Sequence, residues 1–139
     1  MSGRKTYTQH EIDHAKQTMS DQLRAYFGLL SAASGKKAGE ALDSFEPLFF
    51  NHLLLALDRP FVERLRQVTG KDGNPLNEVE VLCESLMYND GVLEESREIK
   101  LIPGKSVLGL QFGERIRLTA DQFEELSAAF FTELEHRFT

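Results

Sequence analysis

Three regimes of apolar spacing divide the chain. Ile12, Ala15, Met19, Leu23, Tyr26, Phe27 and Leu30 recur every three or four residues and cover one face of a helix. Thr8 and Glu11 stand three apart ahead of them, the spacing of a reciprocal cap, so a helix is expected from about residue 9 to 32. Ser34-Gly35-Lys36-Lys37 interrupts the pattern, and a short helix through Ala41 and Leu42 should end before Pro47, which lacks an N–H to continue it. From Phe45 to Leu57 apolar residues fall on every side, which predicts a helix sheltered all round, at the centre of the fold or against another subunit. Asp58 and Pro60 open a further helix with Phe61, Val62, Leu65 and Val68 inward and Thr69-Gly70 at its end. Asn74 at the cap and Pro75 at the first helical position then start a stripe of Leu76, Val79, Leu82, Cys83 and Leu86, closed by Asn89-Asp90-Gly91.

Beyond residue 96 the period changes to two. In SREIKLIPGKSVLGLQFGERIRLT a turn at Pro103-Gly104 would pair Leu101 with Ser106 and Ile99 with Leu108. A three-residue loop around Phe112-Gly113-Glu114 would pair Leu110 with Ile116. Both registers place Ile99, Leu101, Leu108, Leu110, Ile116 and Leu118 on one face, so the pattern predicts a three-stranded antiparallel meander. Thr119 and Gln122 repeat the capping spacing, and Phe123, Ser127, Phe130, Leu134 and Phe138 mark the inner face of a terminal helix. The expected fold class is α+β: one domain over residues 1–139, with about five helices around a buried central helix and a small meander before the last.

The composition fits a folded globular chain: 41% apolar and 27% charged over 139 residues, enough to bury a core without disulfides or a structural metal. Twenty-two acids against 16 bases leave a formal charge of −6, which opposes nucleic-acid binding. The one cysteine, Cys83, permits no internal disulfide, and MSGRKTYTQHE contains no apolar core of a secretory signal, so a cytoplasmic location is expected. The longest near-apolar run, PLFFNHLLLAL, has 11 residues against the roughly 20 needed to cross a bilayer.

Candidate chemistry is sparse. Glu11/His14 and Glu133/His136 have the Glu-x-x-His spacing of helical di-iron sites, but each histidine lies about 160° around its helix from the inward Ile12 or Leu134. Both pairs therefore face outward, and no metal or cofactor is expected. Gly104-Lys105-Ser106 and Gly35-Lys36-Lys37 lack the glycine a phosphate-binding loop needs five residues earlier. Arg59, Arg64, Arg66 and Lys71 cluster near a helix-loop-helix whose loop is too long for a helix-turn-helix. Cys83 lies in an apolar stripe, where an inert thiol is expected. Asn51 and His52 sit in a helix with no polar side, so each should find a hydrogen-bond partner in the interior or, for His52, act as a base on a pocket floor. In GKDGNPLNE most residues are turn and cap punctuation. Lys71, Asp72, Asn77 and Glu78 nevertheless gather beside a positive helix end, a place for a small polar or anionic ligand.

The segments FFNHLLLAL, GKDGNPLNEVEVL and SVLGLQFGERIRLT resemble a group of short uncharacterised bacterial proteins, from residue 45 onward. The resemblance implies no activity, site or cofactor. The expected function is a non-enzymatic interaction or assembly protein that forms a homodimer, with room for a further protein partner, since an apolar central segment accompanies no catalytic constellation. The competing reading is a small-ligand-binding protein or enzyme that uses His52 with the loop at 70–78.

Overall fold

Five helices and irregular connections build the protein in the computed structural model, which describes residues 3–139. Helix α1 spans Gln9–Ala32 and starts at the Thr8/Glu11 reciprocal cap that the sequence predicts. Arg4 reaches the same Glu11 carboxylate with two bonds of 2.8 Å. The Arg4 guanidinium and the Thr8 backbone N–H hold that carboxyl down at about 2. What the pair contributes is present above the ordinary carboxylate range and fades as pH falls toward that value.

Helix α2 spans Lys36–Asp58 and runs unbroken through Pro47, against the expected restart. An internal proline removes one helical bond and costs about 3 kcal/mol in isolation. Here the bond lost is to the carbonyl of Asp43, an exposed residue, and both halves of the helix are anchored. Leu42 is buried in the first half, and Phe50, Leu53, Leu54 and Leu57 are buried in the second. Within the single chain the segment from Phe45 to Leu57 is not the sheltered centre of the fold: Leu48 is 64% and Phe45 43% exposed.

After a single 3₁₀ turn at Arg59–Phe61 come the short α3, Arg66–Thr69, and then α4, Pro75–Tyr88. The helix expected after Pro60 is thus split, with Phe61 and Leu65 buried and Val62 left outside. Helix α4 follows the predicted cap, first-turn proline and inner stripe. Helix α5, Ala120–Phe138, starts at the predicted Thr119/Gln122 cap, and all five residues assigned to its inner face are buried. It packs against α1, α2, α3 and α4, so the centre of the fold is α5 and not α2. Aromatic contacts mark its course. Phe123 meets Phe50 at 5.5 Å, Phe130 meets Phe61 at 6.1 Å, and Tyr7 closes on Phe61 at 5.0 Å and Phe138 at 5.4 Å.

The three-stranded meander does not form, and the fold is helical rather than α+β: no strand occurs among the described residues. Ile99, Leu101, Ile116 and Leu118 are buried, and Leu108 and Leu110 pack against the core, so the alternation does report which side chains face inward. It does not report pairing. The nearest thing to a ladder joins 91–93 to 113–116, with Leu93 N–H to Glu114 at 2.9 Å, Gly113 N–H to Leu93 at 2.8 Å and Ile116 N–H to Gly91 at 2.8 Å. Pro103–Lys105 is a 3₁₀ turn rather than a hairpin end. Elsewhere helix side chains take the place of a partner strand. Glu46 accepts from Ala120 N–H at 2.8 Å, and Asn51 accepts from Leu118 N–H at 3.0 Å while donating to the Ile116 carbonyl at 2.9 Å.

Because Phe130 is fully buried on the central helix, Phe130→Ala should lower unfolding stability by roughly 3 to 5 kcal/mol. A urea-unfolding midpoint checks this. A loss under 1 kcal/mol would remove α5 from the centre of the core.

Candidate functional site

The loop into α4 is held by its own polar side chains. Asn74 caps the Leu76 N–H at 2.9 Å, and Asn77 Oδ1 receives N–H bonds from Gly73 at 2.9 Å and Asn74 at 3.2 Å. Asn77 Nδ2 donates to the Gly70 carbonyl at 2.9 Å, so both ends of this fully buried amide are occupied. Asp72 accepts from Asn74 Nδ2 at 2.8 Å and lies 3.6 Å from the Arg137 guanidinium. The Asn74 bond first, with Arg137 behind it, holds the Asp72 carboxyl below its usual range. Arg137 also reaches the Thr69 carbonyl at 3.1 Å, tying the loop to α5. Gly73 has φ +87, and a Cβ there would stand 2.9 Å from the Lys100 carbonyl oxygen, so only glycine lets the two backbones meet.

Glu78 turns away from that loop. It is 3% exposed, and its carboxylate accepts Val107 N–H at 2.8 Å and Leu108 N–H at 3.0 Å. Burial pushes its carboxyl above the ordinary range, opposed by those two bonds. A carboxyl raised in this way binds its proton in the folded chain before the unfolded one as pH falls. Its contribution to stability therefore falls as pH rises from the ordinary glutamate range through the folded value.

Of the five residues singled out as a site, the structure brings Asp72 and Asn77 into one hydrogen-bonded loop. Lys71 is exposed and offers only its backbone carbonyl, which accepts Lys100 N–H at 3.1 Å. His52 is exposed on α2, and its Nδ1 donates to the Leu48 carbonyl of its own helix at 2.9 Å. Asn51 takes the interior role foreseen for the pair. His14 and His136 are exposed, Glu11 is engaged by Arg4 and Glu133 by Arg137. Among the described residues no cluster of three or more His, Cys, Asp or Glu side chains has the geometry of a metal site. The basic cluster is partly spent internally: Arg64 pairs with Asp58 at 2.8 Å, and Arg66 pairs with Glu80. Cys83 is buried, and burial pushes its thiol far above the ordinary range.

The outer face of α2 was not foreseen. Ala38, Ala41, Phe45, Leu48, His52 and Leu55 follow one another at spacings of three, four, three, four and three, and none of them is buried. Those intervals are a heptad seam, and they were legible in the sequence once the helix was known to continue through Pro47. Beside the seam Leu29 and Leu30 at the end of α1 are 52% and 46% exposed. An apolar groove of about 190 Å³ runs between the two helices, floored by Tyr26 and Phe49 and walled by Leu29 and Phe45.

Comparison of the chain with protein-family models, with curated proteins and with solved structures found no match. Among the described residues no helix is long and apolar enough to cross a membrane.

If Glu78 replaces a partner strand, Glu78→Ala orphans two N–H groups, at a cost on the order of 1 to 3 kcal/mol. Hydrogen exchange should show the Val107 and Leu108 amides protected in the parent and fast in the variant. Fast exchange in both would refute the assigned bonds.

Proposed function

We propose that the protein is a non-enzymatic assembly protein whose working form is a homodimer, joined through the outer face of α2. The seam from Ala38 to Leu55 carries this reading: six apolar or weakly polar positions in heptad order, none of them buried in the single chain. A surface helix normally turns charged residues outward, and an ordered apolar row there marks a contact face.

The sequence of the seam favours a second copy as the occupant. When two copies of α2 cross antiparallel about a two-fold axis between Phe45 and Leu48, residue 45 meets 48, residue 41 meets 52 and residue 38 meets 55. The central layer then sets a phenylalanine on a leucine. Each outer layer sets an alanine against a large side chain, Ala41 against His52 and Ala38 against Leu55. Small against large in successive layers is what lets two helices interdigitate. A two-fold contact also needs a patch complementary to itself, and this row meets that condition. Leu29 and Leu30 widen the apolar surface on the α1 side.

Light scattering at about 100 µM should give twice the mass of one chain, and Leu48→Glu should give a monomer with unchanged helical content, because Leu48 is mostly solvent-exposed in the single chain. The register is tested separately. A mixture of Ala41→Cys and His52→Cys chains should form an intermolecular disulfide under mild oxidation, while Ala41→Cys alone should not. A parent protein that stays monomeric overturns the reading; cross-linking by the single variant overturns the antiparallel register.

A further inference from the structure

An open recess lies on the flank of α2 away from the α1 groove. Ser44, Pro47 and Leu48 form its helix wall, Gly91, Arg115 and Arg117 face them from the covering segment, and its volume is about 360 Å³. Leu48 is shared with the seam, whereas Ser44 and Pro47 stand roughly 70° and 130° around the helix from the middle of that row, to the side of a second copy. The recess is therefore open with or without the homodimer.

Two cations share one side of this recess. Ile116 and Leu118 are buried, so the alternation of the extended segment leaves Arg115 and Arg117 outward together. Arg115 Nη1 donates to the Asp90 carbonyl at 2.8 Å, and its Nη2 lies 3.8 Å from the Asp90 carboxylate, which is 97% exposed. A guanidinium carries five N–H donors, so most of those on Arg115 are free. Arg117 makes no ion pair and no side-chain hydrogen bond among the described residues, and it too is exposed. No carboxylate lines the recess, although the chain as a whole carries a charge of −6. Two like charges held side by side repel, and a dianion placed between them turns that repulsion into two attractions.

We propose that this recess binds a small phosphate monoester, its head between Arg115 and Arg117 with Ser44 Oγ donating to a further oxygen, and its apolar body on Pro47 and Leu48. A phosphate monoester carries close to two negative charges at neutral pH and three terminal acceptor oxygens, which matches two guanidinium groups and a hydroxyl. Arginine pairs with phosphate through two parallel N–H bonds, and such charge-assisted bonds are about twice as strong as neutral ones. Scaled from a cavity of about 150 Å³ that takes benzene, the recess holds at most roughly 14 non-hydrogen atoms, which admits phenyl phosphate with its eleven or so. A long polyanion is disfavoured by the acidic surface beyond the two arginines.

Nitrogen–proton correlation spectroscopy of the full chain, with phenyl phosphate titrated to about 10 mM, gives the readout. The backbone amides of Gly91, Arg115 and Arg117 should shift saturably. Phenyl sulfate, of the same shape with one charge fewer, and inorganic phosphate, without the apolar body, should each bind at least about fivefold more weakly. Arg117→Gln should weaken phenyl phosphate at least about tenfold with an unchanged thermal midpoint, because the lost contact is charge-assisted and the residue is exposed. No saturable shift with phenyl phosphate overturns the proposal. So does equal binding of phenyl sulfate or inorganic phosphate, or undiminished binding by Arg117→Gln.

Discussion

The structure depends on buried helix side chains that accept backbone N–H groups from a segment with no strand to pair with. Between residues 92 and 119 the chain is irregular, yet it covers the core with Leu93, Ile99, Leu101, Ile116 and Leu118. An irregular segment can cover apolar surface only if its own polar groups are satisfied. Glu78 from α4 and Asn51 from α2 satisfy three of its N–H groups, Ser85 accepts a fourth from Glu94 at 3.1 Å, and Glu46 from α2 accepts the Ala120 N–H where the segment enters α5. Glu78 illustrates the balance: desolvation works against its charge, and the two N–H bonds it accepts are what hold it there.

This arrangement frees α2 to be two-sided. Its inner row touches the core through Leu42, Phe50, Leu53, Leu54 and Leu57, and its polar side chains Glu46 and Asn51 pin the covering segment. The remaining arc holds Phe45, Leu48 and His52 in the open. A helix that is apolar all round in sequence is therefore not the centre of the molecule. It is a wall, and the centre belongs to α5, which packs against α1, α2, α3 and α4.

What was legible follows from range. The caps at Thr8, Asn74 and Thr119 were readable because each involves residues within three positions of one another. The inner stripes of α1, α4 and α5 were readable because helical period is a local signal. The bonds by which Glu78 and Asn51 hold this segment join residues 29 to 67 positions apart, and nothing in an alternating apolar pattern distinguishes a strand from an extended chain held by side chains. Pro47 was misleading for a related reason: its local cost is real, and burial on both sides of it outweighs that cost. At the loop, sequence proximity gathered Lys71, Asp72, Asn77 and Glu78, but the helical turn between Asn77 and Glu78 sends one toward the Gly70 carbonyl and the other toward Val107.

That α5 follows all the helices it packs against has a consequence for biogenesis. Domains generally begin to fold as they emerge during synthesis, at about 5 to 20 residues per second. Here every helix made earlier turns its apolar face toward one that does not yet exist, and Tyr7 N–H waits for the Phe138 carbonyl at 2.9 Å. A nascent chain that has reached residue 118 lacks the one helix that α1, α2 and α4 all pack against, so the interval before α5 emerges is when a holding chaperone has most to grip.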